Sequence, residues 1–343
     1  MISQLDDFCQ MIRSNYGSLE AISPEDLAGA FVSHSGLSLN PSFIELHSVL
    51  HRYGVAEITP ADLSAGKLKG HHFSYKEQAY TVQYEGDLWT GSIEHVMLHE
   101  LFEIIAERCE KWCSDYKTLP VPQICPAANR FSAAALMQTG VFLEALFESG
   151  FDTVQLHHRF YKAYSSVAIR AVDVLNGRNK EFTQDEQKID LMIMIYERME
   201  QGQPNEWGFC TPDKFEVRYS LRTRGIKLGT RGGVWLPGGR PRGPNYRAPR
   251  YPWHLIPKPG DTILPNSVAY GVINTARCHC LERVTGFDLW GLNDLTFVAR
   301  PVYWYGKIAK VILVGVRYKD RQLIDPQLKK LSPVRIDESY QVI

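Results

Sequence analysis

The sequence predicts an α+β protein: helices with a small sheet, then a helical pair, then a β-rich C-terminal region. Three observations carry that expectation. Gly91 to Arg108 (GSIEHVMLHELFEIIAER) is apolar at Val96, Leu98, Leu101, Phe102, Ile104, Ile105 and Ala106, with no Gly or Pro after Gly91. That is the pattern of a buried amphipathic helix. Gly70 to Gln83 (GHHFSYKEQAYTVQ) reads as a hairpin turning near Lys76-Glu77-Gln78. From about Trp207 the composition shifts to β-branched and aromatic residues with frequent Gly and Pro, and helical runs become few.

Taken in order, the first 35 residues or so read as one or two helices, with Ser23 as N-cap and Pro24 at the first helical position. Residues 41 to 53 repeat the pattern: Phe43, Leu46, Val49 and Leu50 line one face and Gly54 closes the helix. Glu57-Ile58-Thr59 reads as a strand. In the hairpin that follows, His71 and His72 are adjacent, so they point to opposite faces and read as ordinary polar strand residues. The helix from Gly91 is expected to run on toward Tyr116. Thr118 to Pro126 is rich in proline and reads as an extended link. Ala127 to Glu148 is strongly helical, broken near Gly140. Residues 152 to 176 read as two short helices joined around Ala163 to Ser165, the outline of a helix-turn-helix. Gln184 to Met199 is expected to be a helix, with a domain boundary near 205. Ala299 to Arg317 reads as two strands joined by a tight turn at Tyr305-Gly306-Lys307.

The bulk composition bounds the function. The chain has 343 residues, 44% hydrophobic and 22% charged, which is ordinary globular content. Lys plus Arg equals Asp plus Glu at 38 each, so net charge argues for neither nucleic acid nor membrane. No apolar run approaches the ~20 residues of a membrane span. The acidic N-terminus does not read as a signal peptide. Seven scattered cysteines suit free thiols in a reducing cytoplasm better than a disulfide framework.

The chemistry concentrates on the central helix. His95, His99, Glu103 and Glu107 follow one another at four-residue intervals and share one face. Glu100 beside His99 gives His-Glu-x-x-Glu. In the zinc-peptidase motif His-Glu-x-x-His, two ligands lie one helical turn apart and the Glu between them is the general base. Here the second histidine is a carboxylate. A His-Glu pair is also the ordinary content of a polar helix face.

The order of segments from about 40 to 176 resembles the ImmA/IrrE-like metallopeptidases, gluzincin-type zinc proteases that cleave bacterial repressors. Tyr53-Gly54-Val55 matches the helix end, Tyr80-Thr81-Val82-Gln83 the strand and His99-Glu100-Leu101 the catalytic helix. The clearest match is Ala128-Asn129-Arg130-Phe131-Ser132-Ala133-Ala134-Ala135-Leu136-Met137. Phe160 and Ser165 fall at their expected places in the helix pair. About half of the chain is covered. The resemblance implies a gluzincin-like metallopeptidase domain over 1–150, a helix-turn-helix-like segment over 151–205 and a β-rich domain over 206–343, of a size that suits a GAF-like sensor.

The departures fall on the metal ligands. Glu103 stands where the family has its second histidine, Cys125 where it has a downstream glutamate, and His95 where it has an aromatic residue. Two accounts follow. In one, His99, Glu103 and Cys125 hold zinc or manganese, with His95 as an alternative ligand, and Glu100 takes a proton from a metal-bound water as it attacks a peptide carbonyl. In the other, the fold persists as a binding or regulatory module that does not cut. In both, the expected partner is a protein, a DNA-binding repressor in the family manner, acted on in a stress or mobile-element response.

A reading from a different class rests on Val217 to Gly260, which contains no Asp or Glu. Arg231, Arg240, Arg242, Arg247 and Arg250 stand in it among aromatic residues and glycines, a composition that can neutralise phosphates and stack on bases. The same stretch also suits a long hairpin or loop. Cys278-His279-Cys280 lacks a second ligand pair and reads as a strand with alternating faces. No membrane partner is expected, and homodimerisation is left open.

Overall fold

Short polar side chains start the early helices. Ser23 accepts a hydrogen bond from the Asp26 amide at the start of α2 (Pro24–Ser35), and Ser42 accepts one from the Glu45 amide at the start of α3 (Phe43–Arg52). α2 ends at Gly36, whose φ of 70° is left-handed. The computed structural model describes residues 4–63, 68–75, 79–112, 121–199, 215–226, 259–260, 262–263, 268–281 and 295–336. It mixes α and β structure with small sheets. By internal packing the chain divides into two units: Met1–Phe142 with Phe160–Ala163, and Leu143–Arg159 with Tyr164–Ile343.

The first unit holds α1 (Gln4–Tyr16), α2, α3, a three-stranded sheet, α4 (Thr90–Trp112) and α5 (Val121–Leu136). The strands are β1 (Val55–Ala61), β2 (Gly70–Tyr75) and β3 (Ala79–Glu85), in the order β1-β3-β2. β1 runs parallel to β3, and β2 antiparallel to it. Among the described residues β2 is therefore an edge strand, as is β1. α4 buries Met97, Leu98, Leu101, Ile104 and Ile105 completely. Its neighbours include α5, β2 and β3. Aromatic contacts carry the core onward: Phe31 lies edge-on to Tyr53 at 5.1 Å and tilted to Phe131 at 5.5 Å, and Phe102 lies tilted to Phe131 at 5.5 Å. Glu94 of α4 and Lys162 form a buried ion pair beneath this face.

Two local expectations are corrected here. Residues 121 to 126 are not an extended link. They form the first turns of α5, where Pro122 sits near the helix start and needs no amide partner. The helix expected over Gln184–Met199 is instead the strand β4 (Leu191–Arg198).

In the second unit, α6 (Thr139–Glu148) leads in, followed by α7 (Thr153–Phe160) and α8 (Tyr164–Lys180). The six-stranded sheet runs in the order β5-β4-β8-β7-β6-β9. Its strands are β4, β5 (Phe215–Arg222), β6 (His279–Leu281), β7 (Leu295–Trp304), β8 (Lys307–Arg317) and β9 (Val334–Ile336). α9 (Val268–Thr275) and α10 (Asp325–Leu331) complete the unit. Met192, Met194 and Tyr196 of β4 join a core with Phe215, Val272, Phe297 and Leu313. Leu191, Ile193 and Ile195 are equally buried, and α8 packs on the same strand. Both faces of β4 are covered, which explains its unbroken apolar run. α8 buries Val167, Ala168, Arg170, Ala171, Val172, Val174 and Leu175 against the rest of the unit.

Candidate functional site

The polar face of α4 meets β2 on one side and α5 on the other. Residues four apart on α4 point the same way. The strand's alternation turns His72 toward the helix while His71 stays exposed. Close approach is possible because position 70 is glycine: a Cβ there would meet Val96 Cγ1 at 2.2 Å and Glu100 Oε1 at 2.9 Å.

His72 Nδ1 donates to Glu100 Oε2 at 2.7 Å and lies 3.8 Å from Glu103 Oε2, while its Nε2 lies 3.6 Å from Glu107 Oε2. Glu103 faces two imidazoles at once, since its Oε1 is 3.2 Å from His99 Nε2. The other ring nitrogen of His99 donates to Asn129 Oδ1 of α5 at 3.1 Å, and His95 Nε2 donates to the same oxygen at 3.2 Å. Asn129 Nδ2 in turn donates to the exposed Cys125 thiol at 3.8 Å.

Protonation follows from these contacts. Burial opposes charge on His72, but the Glu100 hydrogen bond and the charges of Glu100, Glu103 and Glu107 outweigh it and raise its pKa. His99 is raised in the same way, burial being overcome by the Glu103 hydrogen bond, the two nearby carboxylates and Asn129. The His99 hydrogen bond holds Glu103 below the usual carboxylate range, against burial and with help from the charges of His99 and His72. Burial takes His95 down to about 4, the Asn129 bond resisting, so this ring is neutral near pH 7. Its Nδ1 is buried and has no hydrogen-bond partner among the described residues.

Among the described residues, the side chains that offer three ligand atoms to one point are His72, Glu100 and Glu103, all within 4.8 Å of one another. Bonds of ~2.0–2.2 Å to a tetrahedral ion place donors roughly 3.4 Å apart. The 2.7 Å and 3.8 Å separations from His72 Nδ1 bracket that value.

No protein-family model matches this chain, and no curated protein matches it. Among solved structures it is similar to a Mycobacterium tuberculosis transcriptional regulator, at 11% identity and a TM-score of 0.49 over 97% of this chain and 88% of that one.

Of the residues singled out in the sequence, His95 and His99 meet at Asn129, Glu103 meets His99, and Glu100 and Glu107 both lie against His72. Cys125 reaches that face through Asn129 and is not part of the three-ligand group. Arg231, Arg240, Arg242, Arg247 and Arg250 lie outside the described residues. Two participants were missed. His72 was read as an ordinary strand residue, although two adjacent histidines on an edge strand oblige one to face inward. Asn129 stood inside the clearest family-like segment without being given a role. No helix among the described residues is long and apolar enough to cross a membrane.

Proposed function

We propose that this chain is a peptidase-like regulator that holds a partner protein, in the manner of a repressor-binding factor, at β2 and the polar face of α4 without cutting it. The observation that carries this reading is the engagement of Glu100. A general base needs a carboxylate oxygen within hydrogen-bond reach of the water it deprotonates. The Glu100 side chain is 7% exposed and already accepts a hydrogen bond from His72. Glu103, the counterpart of a helical zinc ligand, is likewise bonded to His99.

The edge strand supports the binding half of the reading. An edge offers unpaired backbone groups to an extended segment of another chain. His71, Phe73 and Ser74 of β2 are exposed, Phe73 at 39%. A photo-crosslinking amino acid at position 73 is expected to trap a protein in cells that the same group at exposed position 20 does not. Equal capture at the two positions would remove β2 as the docking strand.

A further inference from the structure

We propose that His72, Glu100 and Glu103 form a divalent-metal site in which Glu100 is a ligand, so that the ion ties edge strand β2 to α4. This deepens the regulator reading, since the strand so fixed is the docking strand. The site is not the His-Glu-x-x-Glu pair with a downstream ligand that the sequence suggests. It draws one ligand from the sheet and two from successive turns of one helix.

Three observations support it. The donors Nδ1 of His72, Oε2 of Glu100 and Oε2 of Glu103 already converge. Outer partners stand where they would orient them. Glu107 faces Nε2 of His72 at 3.6 Å, the carboxylate–histidine arrangement common behind metal-bound imidazoles, and His99 holds the remaining oxygen of Glu103 at 3.2 Å. Gly70, which has no space for a Cβ, sets the backbone of β2 against Glu100. One imidazole and two carboxylates, without sulfur, suit a first-row ion such as Zn²⁺ or Mn²⁺.

The alternative ligand, Cys125, is exposed and meets only Asn129 among the contacts of this face. Other histidines could bind zinc without being this site. His47 and His51 meet edge to face at 4.5 Å on α3 and make a pair of that kind.

The test loads the full-length chain with zinc, removes the excess and measures metal content and affinity for His72→Gln, Glu103→Gln, Cys125→Ser and His47→Ala beside wild type. The expected result is about one zinc per chain, with affinity lost at least tenfold in the first two variants and changed less than about twofold in the last two. Zinc-edge X-ray absorption of the wild type gives a readout that does not depend on any variant folding. It should show nitrogen and oxygen ligands at ~2.0–2.2 Å and one imidazole, with no sulfur at ~2.3 Å. A sulfur shell, zinc lost with Cys125→Ser or His47→Ala instead of His72→Gln, or no bound metal would each overturn the proposal. Crosslinking from position 73 is scored separately, so failure of the metal site and failure of partner docking are distinguishable.

Discussion

At position 70 a single hydrogen in place of a methyl group decides whether the site can form. A Cβ there would press on Val96 and on the Glu100 carboxylate, and overpacking of this kind costs about 1–3 kcal/mol. Gly70→Ala is therefore expected to lower the urea midpoint and to weaken metal binding. Gly86→Ala is the control, since its nearest contact would be an ordinary 3.6 Å. A second residue carries a pH signature away from the site. Burial lowers the pKa of His279, whose Nε2 donates to Thr275 Oγ1 at 2.7 Å while Nδ1 has no partner. A histidine kept neutral in the fold binds fewer protons than in the unfolded chain. The stability it contributes is present above the unfolded pKa of about 6.5 and is lost as pH falls through that value toward the depressed folded one. Chemical denaturation between pH 7.5 and 5 should show this slope in wild type and a shallower one in His279→Gln. An equal slope in both would assign the effect elsewhere.

Among the elements, the β7–β8 hairpin turns on Tyr305 and Gly306, with φ of 47° and 75°. Positive φ at both central positions is the arrangement favoured in two-residue hairpins, and it suits Asn or Gly far better than Tyr. Tyr305 is 91% exposed, its ring meeting Trp304 edge to face at 5.2 Å between centroids. Tyr305→Asn should stabilise the protein by about 0.5–1 kcal/mol in urea denaturation. That hairpin is legible in the sequence, as are α4, the β2–β3 pair and the N-cap of α2, because each is set by local pattern and turn chemistry. β4 is not. Leu191 to Tyr196 is apolar on both faces, and periodicity cannot separate a fully buried strand from a buried helix. The start of α5 is not legible because, besides Pro122 in the first turn, Pro126 stands inside the helix, where a proline forfeits a backbone hydrogen bond and argues locally against helix. The helical half of the site was legible from four-residue spacing along α4. The convergence of His72 and Asn129 on it was not, because it depends on packing between segments about thirty residues apart in sequence.

For the whole molecule, the central claim is that the face built by α4, β2 and α5 holds a partner and leaves it whole. The engaged state of Glu100 separates this from proteolysis. The deciding measurement is the mass of the protein crosslinked from position 73, compared between wild type and Glu100→Gln. An intact partner in both is the predicted result, whatever amount Glu100→Gln recovers. A partner cut at one peptide bond by wild type and left whole by Glu100→Gln would contradict it, and would make Glu100 the base of a working peptidase.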